Sequence, residues 1–209
     1  EDGIRDKLVT GVQTCALPIL LLAMVFMAVF APLFAPGDPL ALAPARRLRP
    51  PSETYWFGTD MFGRDVYTRT IYGARISLIV GISVSLLSTV IGLTIGLLSG
   101  YVRAVDAVVM RIMDGLMAIP GILLAIAMMA LTKASVENVI IAISIPEIPR
   151  VVRLVRGVVL QIREQPYIEA AQSIGTRFHR ILLKHILPNI TAPLIVQATY
   201  ICAAAVLID

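Results

Sequence analysis

The side chains with the most to offer chemically lie between Arg163 and Pro188. The run Arg163-Glu-Gln-Pro-Tyr-Ile-Glu169-Ala170-Ala171-Gln-Ser-Ile-Gly175 predicts a short helix closed by a glycine. Phe178, Ile181, Leu182 and His185 then give a second helix an apolar side, which Pro188 is expected to break. Pro166 suits a first helical turn, where its missing N–H has no bond to lose. Glu169 lies near the positive helix start. Ala170 and Ala171 leave a smooth face for close approach, and Gly175 can take the left-handed capping conformation. Such a knob does recognition rather than catalysis and suits a partner's groove; a solvated amphipathic connector is the other reading. Elsewhere, Glu147 and Arg150 are three apart and can pair on one helix face, as a structural ion pair or as part of a pathway or gate. Ser88, Gly92, Gly96 and Gly100 recur at four-residue steps. They serve helix packing, or else line a pathway.

Bond-making chemistry has no visible site. The chain contains no GxxxxGKS/T, no GxSxG and no HExxH, so neither ATP hydrolysis nor hydrolase chemistry is expected, and no residue is predicted to be catalytic. His179 and His185 lack partners at metal-ligand spacing, so surface roles are expected for them. Cys15 and Cys202 lie in apolar stretches without CxxC spacing and read as small hydrophobes. No metal or other cofactor is expected.

The elements that must position these residues are dominated by apolar side chains. Of 209 residues, 57% are hydrophobic and only 15% charged, with a mean hydropathy of +0.83. That excludes a disordered tail, a fibre and a disulfide scaffold, and disfavours an ordinary water-soluble enzyme. The net charge of +4 comes from 18 basic and 14 acidic residues. The basic residues cluster between long uncharged runs, which is a membrane pattern rather than a nucleic-acid surface.

A helix crosses the hydrocarbon core with about 20 apolar residues. Leu8–Gly37 (densest over Ile19–Phe34), Ile76–Val102, Gly115–Thr132 and Ile186–Ile208 are free of charge, and each fits such a span. A fifth helix is expected to start near Asn138 and to leave the membrane in its second half. There Glu147, Arg150, Arg153 and Arg156 appear, the arginines forming one basic stripe; a soluble amphipathic helix is the alternative. Six prolines between Pro32 and Pro51 predict an irregular loop between the first two spans. The fold class is all-α, a polytopic membrane helical bundle.

Residues 1–18 have neither an amphipathic period nor a signal-peptide layout and read as a translated sequencing-adapter segment. The basic run Arg150–Lys184 is expected in the cytoplasm. Counting back through alternate spans places Tyr101–Asp114 inside and Thr132–Glu137 outside. It also puts the arginine-bearing loop 37–75 outside, against the same rule, so charge alone does not fix the orientation.

Glu169-Ala170-Ala171, three residues, Gly175, then Ile186-Leu-Pro188 resembles the EAA loop of binding-protein-dependent ABC importer permeases. Gly58-Thr-Asp-Met-Phe-Gly63-Arg-Asp65 and Ile71-Tyr-Gly-Ala-Arg-Ile-Ser-Leu78 are similar to the C-type permease of the dipeptide/oligopeptide/nickel branch. Gly100-Tyr101, Asp106, Met110-Arg111, Arg153-Leu-Val-Arg-Gly157 and Ile186-Leu-Pro-Asn189 fit the same branch. The resemblance covers residues 19–209 and implies a type I permease fold with about five helices present and a sixth missing, so the chain reads as truncated. It also settles the orientation, with a cytoplasmic coupling loop at about 161–187.

The resemblance implies a multi-pass subunit of the bacterial or archaeal inner membrane. It pairs with a second permease subunit as a heterodimer, two cytoplasmic ATP-binding subunits and a periplasmic or lipid-anchored substrate-binding protein. Peptides are the implied cargo, with nickel chelates in the same branch. Glu169, Ala170, Ala171 and Gly175 are the implied ATPase contacts. The chain departs from the family where members often carry Trp-Pro-Gly-Tyr-Ala-Arg: it reads Ile145-Pro-Glu147-Ile-Pro-Arg150. Asp209 aligns with an acid common near the end of the fifth span. The polar turn Gly58–Asp65 is either a juxtamembrane structural turn or a contact for the binding protein. Rival readings are an ion-coupled secondary transporter or channel subunit, which predicts inverted repeats and midplane charges, and a non-transporting membrane scaffold.

Overall fold

The computed structural model describes residues 22–131 and 135–208. Residues 1–21 and 132–134, Asp209 and the side chain of Phe178, on which expectations were placed above, lie outside the described residues. Every regular element among the described residues is helical, with a single isolated bridge between Thr59 and Asp65. The chain divides into two compact units at Ile79 and Val80.

The first unit holds α1 (residues 22–29), α2 (Ala31–Phe34), a long loop and the start of α3 (Val66–Tyr101). Ala31 and Ala35 are small enough to let Ile71, Tyr67 and Tyr72 of α3 pack against the first apolar helix. The loop is organised by Asp60. Its Oδ1 accepts the backbone N–H groups of Phe62 and Arg64 at 2.8 and 2.9 Å. Its Oδ2 accepts Arg64 Nε at 2.8 Å and Arg69 Nη1 at 2.7 Å. Desolvation pushes this carboxyl up, but the bonds from Arg64, Phe62 and Arg69 prevail and hold it well below the usual carboxylate range. Gly63 has φ +75°, and a Cβ there would stand 1.8 Å from the Ala43 carbonyl oxygen, so only glycine closes the turn. Asp65 caps α3 by accepting the N–H groups of Tyr67 and Thr68, each at 3.2 Å. The polar side chains Thr59, Asp60, Arg64 and Asp65 of the Gly58–Asp65 stretch are therefore occupied within the unit, while Trp56 and Phe57 stack around Tyr67 at 5.0 and 5.5 Å between ring centroids.

The second unit is built around one close helix contact. A Cβ added at Gly92, Gly96 or Gly100 of α3 would meet Cβ of Val151, Val155 or Val159 at 2.5, 2.7 or 2.7 Å. Those valines belong to α6 (Val136–Arg163). Both series rise together, so α3 and α6 run parallel. Ser88 extends the seam by donating to the Ser144 carbonyl at 3.4 Å. α9 (Leu187–Ile208) runs antiparallel to α3: Ser85 donates to the Ala198 carbonyl at 2.6 Å, and Gly81 abuts Cys202 and Val206.

Two parallel helices need one reverse pass between them. α4 (Arg103–Met117) and α5 (Gly121–Leu131) supply it, bent by 81° at a break. This corrects one expectation. Gly115–Thr132 is not one straight helix: the chain breaks at Pro120, which lacks an N–H and disfavours a helical conformation in the residue before it. Within Tyr101–Asp114, placed inside above, an amphipathic helix begins at Arg103. α6 begins at Val136, two residues before the expected start, with Ser135 Oγ accepting the Asn138 N–H at 3.3 Å. It runs unbroken through Pro146 and Pro149.

Pro188 likewise fails to break its helix. α7 (Pro166–Ser173) and α8 (Phe178–Ile181) lead into a π-helical turn (Leu182–Ile186), where the Leu187 N–H reaches the Leu182 carbonyl. The chain then continues directly into α9. The wider turn shifts the bonding register just before the proline, whose missing donor is then tolerated. α3 and the continuous helix His179–Leu207 are long and apolar enough to cross a membrane, and the bent α4–α5 pair makes a third. The apolar run of α6 is interrupted by the charges between Glu147 and Arg156.

Three outcomes follow for the full-length protein. Gly96→Val drives methyl groups into Val155 and lowers stability by about 1–3 kcal/mol in thermal melts in detergent. Gly157→Ala, where an added Cβ meets nothing within 4 Å, is neutral or stabilising by up to about 1 kcal/mol. Because the folded-state pKa of Asp60 is depressed, its contribution is complete above the unfolded value near ~4 and fades as pH falls below it. Proteolysis of loop 37–65 is accordingly flat from pH 7 to 5, rises below pH 4, and is already fast at pH 7 in Asp60→Asn.

Candidate functional site

The hairpin after α6 is fixed at its base. Arg163, in the last turn of α6, donates from Nη1 to the Tyr101 carbonyl at 3.3 Å. α7 then starts on Pro166 and is eight residues long. Ile168 is its anchor: it is fully buried and clusters with Val159, Ile162, Ile181 and Ile186. The opposite side is bare. Tyr167, Ala170 and Ile174 are exposed and Ala171 is half-buried; at 3.6 residues per turn these four form one apolar stripe. Ile174 is 84% exposed and extends the stripe one residue past the end of α7. Tyr167 is braced by His185, with ring centroids 6.3 Å apart.

The stripe ends in a tight cap. Gly175 has φ +79°. Its N–H donates to the Gln172 carbonyl at 2.9 Å, and the Thr176 N–H donates to the Ala171 carbonyl at 3.0 Å. Those two bonds make a Schellman cap, which satisfies carbonyls that a helix end otherwise leaves open. Of the four residues singled out in the sequence, Ala170 and Ala171 therefore share the stripe. Glu169 is exposed on its flank, and Gly175 shapes its end. Sequence reasoning missed Tyr167 and Ile174, although their three- and four-residue offsets from the alanines carried the signal.

A second arrangement lies higher on α6, where each arginine of the stripe meets a carboxylate. Arg156 grips Asp106 of α4 through Nε and Nη2, the latter at 2.7 Å. Arg153 reaches Asp114 of α4 at 2.5 Å, and Arg150 pairs with Glu147 at 2.7 Å. The basic stripe is thus neutralised rung by rung, and α4 is strapped to α6. Sequence reasoning noted Asp106 but not its partner, since 50 residues separate the two.

Glu147 differs from the other acids. Its side chain is only 9% exposed. It stands in the wall of a cavity of about 460 Å³ bounded by the α4–α5 break, α6 and α9. The arrangement offers a docking knob at one end of α6 and a polar pair in an apolar cavity toward the other. It assembles no nucleophile with a base.

Residues 88–207 match the family of binding-protein-dependent transport system inner membrane components. The chain is 52% identical over 183 residues to a probable peptide ABC transporter permease protein of Sinorhizobium fredii, covering 88% of this chain and 62% of that protein. It is 44% identical over 190 residues to the dipeptide transport system permease protein of Alkalihalophilus pseudofirmus, covering 90% and 62%. It is 36% identical over 189 residues to the oligopeptide transport system permease protein of Bacillus subtilis, again covering 90% and 62%. The chain thus spans less than two thirds of the length of these relatives. With more than half of its residues inside the family match and the seam, the bent helix pair and the hairpin all falling there, the chain belongs to the inner-membrane components of binding-protein-dependent transport systems.

Proposed function

We propose that this chain forms part of the translocation pathway of an ATP-driven peptide importer and couples to its motor through the hairpin at about 161–187. The observation that carries the proposal is the bare stripe of Tyr167, Ala170, Ala171 and Ile174 on a helix pinned from beneath by Ile168. An eight-residue helix with an apolar outer face and a glycine-closed C-terminal end fits a groove on a partner. An ion-coupled carrier, which works without such a partner, has no use for it.

The peptide, dipeptide and oligopeptide transport named for the relatives supports peptides as cargo here. In this reading the hairpin faces the cytoplasm and meets one of two ATP-binding subunits. A second permease completes the pathway, and a binding protein delivers the peptide from outside. ATP hydrolysis belongs to the ATP-binding subunits. Glu169, Ala170, Ala171 and Gly175 act at the motor contact, joined by Tyr167 and Ile174. Ser88, Gly92, Gly96 and Gly100 hold the pathway helices at close approach.

The test uses the full-length permease with its partner subunits. Glu169→Lys, or Ile174→Asp alone, abolishes co-purification of the ATP-binding subunits. Peptide uptake falls by about tenfold or more, while membrane insertion and melting temperature stay unchanged. Unchanged co-purification and uptake would overturn the reading. So would reaction of Ile174→Cys with a membrane-impermeant thiol reagent added outside intact cells.

A further inference from the structure

The buried pair at Glu147 has an unfilled half. Oε1 accepts Arg150 Nη1 at 2.7 Å, but Oε2 is buried with no hydrogen-bond donor among the described residues. A buried carboxylate oxygen without a donor is costly, so a donor belongs in the adjoining space. Glu147 itself lines a cavity of about 460 Å³, together with Pro120, Gly121, Pro146, Arg150 and Tyr200 among others, and a turn of its carboxyl would open the buried Oε2 to that space. Its size is that of a small-ligand site.

Charge placement selects the kind of donor. The two members of the pair are not equally immersed: the Glu147 side chain is 9% exposed and that of Arg150 is 47% exposed. The positive charge is therefore partly hydrated and screened, whereas the negative charge is held in the apolar wall. The pair is neutral overall, with its negative end deeper in the wall than its positive end. A compact cation with several N–H donors matches that negative end and the vacant lone pairs of Oε2. Arg153 and Arg156 do not compete for it, because Asp114 and Asp106 hold them.

We propose that this cavity binds a primary ammonium group, which, resting on the peptide-import reading above, is the free amino end of the transported peptide. The Glu147 carboxyl turns to present Oε2 to the ammonium while Arg150 keeps hold of the carboxylate. The exposed edge of the Arg150 guanidinium remains open to a carbonyl or carboxylate further along the peptide.

The experiment is saturation-transfer NMR on the full-length permease assembled with its partner subunits in lipid nanodiscs, without binding protein. The probes are tri-alanine and N-acetyl-tri-alanine. Tri-alanine is expected to give about tenfold the signal of the acetylated peptide. Glu147→Gln brings the ratio to about one, and Glu147→Asp, which keeps the charge, preserves a preference. Equal signals from both peptides in the wild type, no signal from either, or a preference that survives Glu147→Gln would each overturn the site. Failure of the import reading is separately visible: ammonium-dependent binding in a transporter that takes up no peptide leaves the site standing and removes its assigned cargo.

Discussion

The architecture of the second unit depends on how closely α3 and α6 can approach. Three glycines on one helix receive three valines from the other, with so little space that a single methyl at Gly92, Gly96 or Gly100 would overlap its partner. In a lipid environment there is no hydrophobic driving force between two apolar helices, so association rests on such packing and on a few polar bonds. The Ser88–Ser144 and Ser85–Ala198 contacts are the polar part. Once α3 and α6 are locked parallel, the reverse pass through α4 and α5 and the antiparallel return of α9 follow as requirements of chain direction. β-branched valine suits the receiving side because its χ1 is nearly fixed in a helix and little rotamer freedom is lost on contact.

The same helix carries the charges that a membrane penalises most. An arginine at the centre of a bilayer costs about 2.5–3.5 kcal/mol on insertion scales, and α6 places three of them within seven residues. The structure offsets this locally. Asp106 and Asp114 come across from α4, and Glu147 comes from α6 itself. These pairs also explain why the reverse pass bends. α4 is held along α6 by its acids, and the chain turns at Pro120 before α5 begins.

Much of this is legible in the sequence, and the exceptions share a cause. The stripe from Ser88 to Gly100 stands out because small residues at four-residue steps are rare in so apolar a run. Its partners do not, although Val151, Val155 and Val159 have the same period, because Arg150, Arg153 and Arg156 are interleaved with them and their charge dominates a one-dimensional reading. The left-handed cap at Gly175 is local chemistry and can be read from Pro166 to Thr176 alone. The 81° bend is hidden because Gly115–Thr132 is uniformly uncharged and a single proline is commonly tolerated in such a helix. Pro188 misleads in the opposite sense: the π-helical turn that accommodates it leaves no mark in composition. Pairs such as Asp106 with Arg156 join distant parts of the chain, and nothing local to either residue specifies the other.

The two candidate sites sit on one mechanical element. Glu147 and Arg163 are sixteen residues apart on α6, a separation of about 24 Å along an unbroken helix. At the lower end, Ile168 of α7 packs into the same cluster as Val159 and Ile162 of α6, so α7 cannot move far without α6. At the upper end, α6 contributes Pro146, Glu147 and Arg150 to a cavity whose other wall is the hinge between α4 and α5. Pro146 and Pro149 each remove a backbone hydrogen bond just there, making this the most easily bent part of an otherwise stiff rod. In the proposed importer, a displacement of the hairpin would be carried up the valine seam and taken up as bending beside Glu147. The ladder of ion pairs makes the coupling two-sided, because moving Arg153 and Arg156 drags Asp114 and Asp106 and with them the hinge. Within the proposed importer, a motor gripping α7 would reshape the cavity without touching it.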